Sequence, residues 1–363
     1  MDIPEFVDRE REKRELKAIL SGRPNFVYFV YGPINSGKTA LLMKVIEELP
    51  DDYVVFYINF RGFETSKYED FIRALFQPRD ETLWEKLRKK ADIIQAALEY
   101  AEKLIKKINY EFEVPSRVLK TFFSSEEKER DVFRYLEVLM RRLVEKGKIP
   151  VFILDELQML KEVKKNGYVL HDLFNFLVRM TKETHLCHSL CATSDCLFIE
   201  DVYSNARLEG RAEYLLVDDF DKETAFRVYE EFGIENKELV WDYIGGKIGD
   251  IIRLGERKKR GLEEKDILEN LLKVEVDRLD EMLRKIKRVK KKIVFEGKEI
   301  EIEEEGIRES LSVFKDAEKV SKDKIDVVYR YFLVEENVLF YNPMEGTVRP
   351  QSRLIWRAIK EVV

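Results

Sequence analysis

A chain of 363 residues exceeds what one compact core usually holds, so two or three domains are expected. Apolar residues at 45% and aromatics at 12% suffice for packed cores, while a net charge of -6 excludes a polycation built to coat nucleic acid over its whole surface. Charged residues reach 37%, rich in Lys and Glu with little Gln, a composition that leans towards thermophilic proteins and their surface ion-pair networks.

The N-terminus, MDIPEFVDRERE, lacks the basic-then-apolar build of a secretory leader, and no apolar run approaches the roughly 20 residues that span a bilayer. A cytoplasmic, soluble protein with no membrane partner is expected. The first helix is marked by Asp8 as cap, by Leu16, Ile19 and Leu20 on one face, and by Gly22 at its end. Five apolar, β-branched and aromatic runs then read as strands: Phe26 to Tyr31, Tyr53 to Phe60, Ile149 to Asp155, His185 to Thr193 and Glu213 to Phe220. Near-continuous apolar strands alternating with helical patterns predict a parallel sheet covered on both faces. Between the second and third strands, Leu83, Leu87, Ala91, Ile94, Leu98, Ala101, Ile105 and Ile108 recur at helical spacing in an insertion over about 77–130.

After Phe220 the pattern is mostly helical through about Gly261, punctuated by GGKIGD at Gly245 to Asp250. A long amphipathic helix ends in RKIKRVKKK, where seven of nine residues are basic, and a hairpin turning near Gly297 follows. The last fifty residues read helix, helix, strand, turn, strand, helix, with the turn over Asn342 to Gly346; that order suggests a winged helix. Cys187, Cys191 and Cys196, with His185 and His188 among them, lack the paired spacing of structural zinc sites and fall on an expected core strand, so buried thiols are predicted.

Two stretches carry chemistry. Gly32-Pro33-Ile34-Asn35-Ser36-Gly37-Lys38-Thr39 joins the first strand directly to a helix that opens with Ala40, Leu41 and Leu42. This is the context in which glycine-rich backbone amides and a helix N-terminus cradle phosphates. Lys38 is placed for the β- and γ-phosphates and the Thr39 hydroxyl for magnesium. Val151 to Gln158, VFILDELQ, ends a strand in Asp155 and Glu156; Asp155 suits magnesium through water, and Glu156 suits polarising an attacking water. The adjacent Glu favours a hydrolase over a small-molecule kinase. Thr193 or Ser194, ending a later strand, reads either as a γ-phosphate or lytic-water contact or as a capping hydroxyl. Arg211, just before the fifth strand, reads either as a γ-phosphate partner or as a surface ion-pair residue.

These residues together resemble the archaeal ATPase family of AAA+/STAND-like P-loop NTPases. The resemblance rests on FVDRE at Phe6 to Glu10, on GPINSGKT, on LDELQ at Leu154 to Gln158 and on EGRAE at Glu209 to Glu213, and it covers about residues 1–260. It implies an α/β P-loop core with a five-stranded parallel sheet and a strand inserted between the P-loop and Walker B strands. It implies ATP or ADP with Mg2+ as cofactors, Val7 and Arg9 near the adenine, Asp155 and Glu156 as the Walker B pair, and a Gly210-Arg211 pair after the sensor strand. The family's Gly-Gly-x-Pro element reads Gly245-Gly246-Lys247-Ile248 here, without the proline, and Arg253 falls a residue late for a sensor-2 arginine.

The expected organisation is a core over 1–220, a helical lid over 221–275 and a winged-helix-like domain over 276–363. Two outputs stand open. One is ATP hydrolysis coupled to movement of the winged-helix domain and acting on double-stranded DNA through the basic run Arg284 to Lys292 and the tail TVRPQSRLIWR. The other is a slow regulatory switch that binds a protein partner or self-associates.

Overall fold

The computed structural model describes residues 6–62, 129–161, 163, 169–205 and 208–363. The amphipathic stripe expected between Leu83 and Ile108 lies outside them. Each apolar run anticipated above forms a strand: β1 is Val27–Tyr31, β2 Tyr53–Asn59, β3 Ile149–Asp155, β4 His188–Thr193 and β5 Ala212–Leu216. They make one sheet in the order β2-β3-β4-β1-β5, parallel throughout. β4 therefore separates β1 from β3, which is the inserted strand the resemblance implies.

Two boundaries differ from the pattern in the sequence by more than one residue, each for a local reason. β4 starts three residues after His185 because His185 has a positive φ of 53° and the amides of Leu186 and Cys187 turn back to Met180 O. β5 ends at Leu216, with only the Val217 amide still reaching Tyr31 O, and the chain then leaves through Asp218 and Asp219.

Alternation along these strands sorts the core into two faces. Val30, Val55, Val151, Ile153, Leu190 and Leu215 meet Leu16 and Leu20 of α1 (Glu10–Ser21) and Leu41, Leu42 and Val45 of α2 (Lys38–Glu48). On the other face Val27, Phe29, Ile58, Phe152 and Leu154 pack with α3 (Glu129–Glu145), α4 (Val169–Val178) and α5 (Cys196–Tyr203). Phe29 stacks on Tyr214 and meets Phe174 edge-on. Each fully buried side chain of this kind contributes on the order of 1.5–3 kcal/mol. The three cysteines are free and buried as predicted; burial pushes all three thiols up, Cys196 to about 12. Among the described residues no His, Cys, Asp and Glu cluster is arranged to hold a metal ion, and no helix is long and apolar enough to cross a membrane.

Three helices follow: α6 (Lys222–Glu231), α7 (Lys237–Ile244) and α8 (Ile248–Lys259). The long α9 (Glu264–Val289) runs through the first half of the basic stretch and stops where Lys290 turns left-handed. The expected hairpin is β6 (Lys292–Phe295) paired with β7 (Lys298–Glu301). Beyond it lie α10 (Glu304–Ser312), the short β8 (Val320–Ser321), α11 (Val327–Glu335), β9 (Leu339–Asn342), β10 (Thr347–Pro350) and α12 (Arg353–Val362). β10 pairs antiparallel with both β8 and β9, and β8 had no signature strong enough to be expected. Leu354, Ile355, Ala358 and Ile359 bury α12, and Trp356 Nε1 donates to Phe314 O at 2.7 Å.

Candidate functional site

β1 ends at Tyr31 and the chain turns sharply through Gly32. Its φ of 155° and a position only 2.2 Å from Val217 O for any Cβ leave room for glycine alone. Asn35 and Gly37 have left-handed φ values of 59° and 91°, and α2 begins at Lys38. Left-handed residues alternating ahead of a helix N-terminus give the loop the form of an anion cradle. Ser36 is wholly buried, whereas Asn35, Thr39 and Ala40 are exposed. Lys38 Nζ donates to Gly32 O at 3.0 Å and Pro33 O at 2.8 Å. Burial, and secondarily the nearby Lys247 ammonium, lower its pKa to about 8.

The acidic pair lies at the carboxyl end of β3, beside the loop. Asp155 is 2% exposed, so its charge depends on the donors around it. Thr39 Oγ1 and Tyr57 OH both donate to Asp155 Oδ2 at 2.8 Å, and the Glu156 amide donates to Oδ1 at 3.0 Å. Glu156 turns left-handed, with φ 58°, and its side chain takes a different direction. Arg61, just past β2, pairs with it at 2.8 Å, and Gln158 Nε2 donates to its Oε2 at 2.6 Å. Thr193 Oγ1, at the end of β4, donates to Gln158 Oε1 at 2.7 Å and accepts the Asp195 amide at 3.0 Å. Thr193 thus reaches Glu156 through Gln158. Tyr57, Arg61 and Gln158 were missed in the sequence. Tyr57 carries the one usable signal, a hydroxyl two residues before the end of a strand that pairs with β3.

Val7 is buried. The Arg9 guanidinium donates to Ser36 O and to Asp218 O, both at 2.6 Å, and lies over the Phe220 ring. Both carbonyls take Nη2, while Nη1 donates to Glu12 Oε1 at 2.9 Å, so Arg9 braces the loop against the exit of β5. Arg211 requires a correction. Its carbonyl accepts from the Val27 amide at the start of β1, so it lies at the amino end of the sheet. The ladder from Val27–Ala212 to Tyr31–Leu216 separates it from the loop by about 13 Å at roughly 3.3 Å per residue. In a parallel sheet a residue preceding a strand stands opposite the end where the loop lies, and Arg211 is out of reach of its own chain's cradle.

The third side of the site comes from distant sequence. Phe220 N donates to Gly246 O at 2.9 Å, and Lys247 Nζ donates to Ile34 O at 2.9 Å. Ile248 and Gly249 press on Gly37 and Asn35. Arg253 pairs with Asp250 at 3.1 Å. From the C-terminal region, Asn342 Oδ1 accepts from Tyr31 OH at 2.9 Å, and Arg349 reaches both Asp218 and Asp219.

The family described as an ATPase domain predominantly from Archaea matches residues 6–254. A second, described as the C-terminal domain of MJ1010-like uncharacterized ATP-binding proteins, matches residues 265–363. Two uncharacterized ATP-binding proteins of Methanocaldococcus jannaschii are 43% and 44% identical to the chain over 99% of its length, covering 99% and 98% of their own. Among solved structures, the Walker-type ATPase of Pyrococcus abyssi aligns with a TM-score of 0.60 at 17% identity, covering 98% of this chain and 96% of that one, a likeness of fold.

Proposed function

This chain belongs to the archaeal ATPase family, and from that membership we propose that it binds ATP with Mg2+, hydrolyses it, and couples the nucleotide state to its C-terminal region. The observation that carries the reading is the Thr39–Asp155 contact, 2.8 Å, beside the anion cradle and with Glu156 one residue on. A hydroxyl and a carboxylate in hydrogen-bond contact at the mouth of a phosphate loop form an oxygen-only donor set, which suits Mg2+. Mg2+ held there would neutralise charge on the β- and γ-phosphates.

The geometry supports the following roles. The amides from Ile34 through Ala40 and the α2 N-terminus hold the phosphates, with Gly32 and Pro33 shaping the turn. Lys38 leaves its carbonyl partners for phosphate oxygens, a stronger acceptor. Tyr57 keeps Asp155 oriented. Glu156 polarises the lytic water once Arg61 releases it, while Gln158 and Thr193 fix its direction. Residues 1–220 act as the core, 221–275 as a lid and 276–363 as a winged-helix-like output module.

The output reads as a switch rather than as a grip on DNA. Arg284, Lys285, Lys287, Lys290, Lys291 and Lys292 pair with Asp280, Glu281, Glu304, Glu301, Glu336 and Glu299 respectively. Cations neutralised within the chain release fewer counterions from a duplex. ATP turnover by the wild type and by Lys38→Ala, with and without duplex DNA at low salt, tests both parts. Turnover that depends on Lys38 and ignores DNA supports the reading; turnover unaffected by Lys38→Ala removes the ATPase, and stimulation by DNA removes the switch.

A further inference from the structure

Two ammonium groups stand on three successive carbonyls of the phosphate loop. Lys38 takes those of Gly32 and Pro33, and Lys247 takes that of Ile34. Both side chains are buried, at 7% and 6% exposure. The position of Lys247 is fixed by its backbone: a Cβ on Gly246 would fall 1.8 Å from Phe220 O, and one on Gly249 would fall 2.8 Å from Asn35 Cβ. The turn before α8 is thus held against both the loop and the exit of β5. The hydrogen bonds of both ammonium groups go to neutral oxygens, and Lys247 has in addition Asp219 Oδ1 at 3.2 Å, an ion pair without a hydrogen bond, so a phosphate that offers charge and a hydrogen-bond acceptor together competes for it.

The carboxylate beside Lys247 is shared. Asp219 lies 3.2 Å from Lys247 and 3.4 Å from Arg349 of β10, and Arg349 also pairs with Asp218. One acidic pair at the end of β5 therefore joins the lid turn to the C-terminal sheet. Nearby, Gly245 is packed against the Arg353 side chain at the start of α12.

We propose that Lys247 is a second phosphate-binding lysine that recognises the terminal phosphate of a nucleoside triphosphate, and that its move from Asp219 to phosphate leaves Asp219 to Arg349, tightening the C-terminal sheet onto the core. The proposal rests on the reading of Gly32 to Thr39 as an ATP site. A triphosphate carries one more phosphate group and one more negative charge than a diphosphate, so it draws Lys247 further. Asp219 then has one cation instead of two, and Arg349 is held more firmly. Lys247 immediately precedes Ile248, the position where the family's proline is expected, so the lid senses nucleotide through a charge at this point.

The test uses the full chain, fluorescent ATP and ADP titrations, and hydrogen exchange of residues 339–350. Lys247→Met weakens ATP about tenfold, the loss of one charge-assisted contact, and ADP by no more than about threefold. Lys247→Arg keeps the preference for ATP. Arg349→Met abolishes the added protection that ATP gives β9 and β10 and weakens ATP by the same coupling and no more. Equal ATP affinity in Lys247→Met and wild type, or ATP-dependent protection that survives Arg349→Met, overturns the proposal. Lys38→Ala separates the two layers. If it binds ATP normally, the ATP-site reading fails; if it loses ATP while Lys247→Met does not, the Lys247 proposal alone fails.

Discussion

The loop Gly32 to Thr39 and the run Arg284 to Lys292 both present cations suited to phosphate, yet the structure partners them differently. Lys38 is buried, and its hydrogen bonds go to two carbonyls and to Ser36 Oγ. The run is exposed, and six of its cations already face carboxylates, at 3.3 to 4.0 Å. A buried ammonium hydrogen-bonded to carbonyls gains much from a phosphate, whereas an exposed cation already beside a carboxylate gains less. Density of positive charge in a sequence is therefore a poor guide to phosphate affinity; the partner of each charge decides.

The contrast is broken most directly by removing a cation from each region. Lys38→Ala is expected to weaken ATP at least about 100-fold, because a buried charge-assisted contact is lost. Calorimetric titration checks it, and a change below threefold would erase the distinction. The same lysine sharpens the contrast through pH. Its folded pKa, about 8, lies below the unfolded value near 10.5. The unfolded chain thus holds more protons between those values, and Lys38 makes stability rise with pH across that window. ATP favours the charged form, so binding takes up a proton near pH 8 and weakens as pH rises further. Titrations in buffers of different ionisation enthalpy report this uptake; its absence would mean that Lys38 stays charged in the free protein.

Arg61→Ala tests a partly exposed pair within the site. It removes the contact that holds Glu156 and raises basal turnover by up to about fivefold, the range of such ion pairs. Lowered turnover would instead make Arg61 part of the catalytic arrangement. Replacing Lys285 and Lys292 by Gln is expected to change stability by less than about 0.5 kcal/mol each and to leave ATP affinity within twofold. Denaturation midpoints and the same titration read both.

The sheet was legible because five apolar runs with turn signals between them allow little besides a covered parallel sheet. The loop was legible because its glycines and Lys38 fall between a strand and a helix, and Asp155 because it ends an apolar strand. Tyr57, Arg61, Gln158, Asp219, Lys247 and Arg349 were not. Apart from Gln158, which meets Glu156 two residues away, each meets a partner far away in sequence, and nothing local distinguishes the Lys247 side chain from the many surface lysines. For Arg211 the distance from the loop follows from topology: a residue entering a parallel strand stands at the end away from it. The carboxylate partners of the basic run were not legible either, since they come from α9 itself, the hairpin, α10 and the residue after α11.

The central claim is that Asp155 and Glu156 make the loop half of a hydrolytic site. Single-turnover hydrolysis of prebound ATP by the wild type and Glu156→Gln, side by side, tests it. The account predicts equal ATP occupancy with hydrolysis at least about 100-fold slower in the variant, the scale of general-base catalysis. Equal rates of hydrolysis in the two proteins would contradict it.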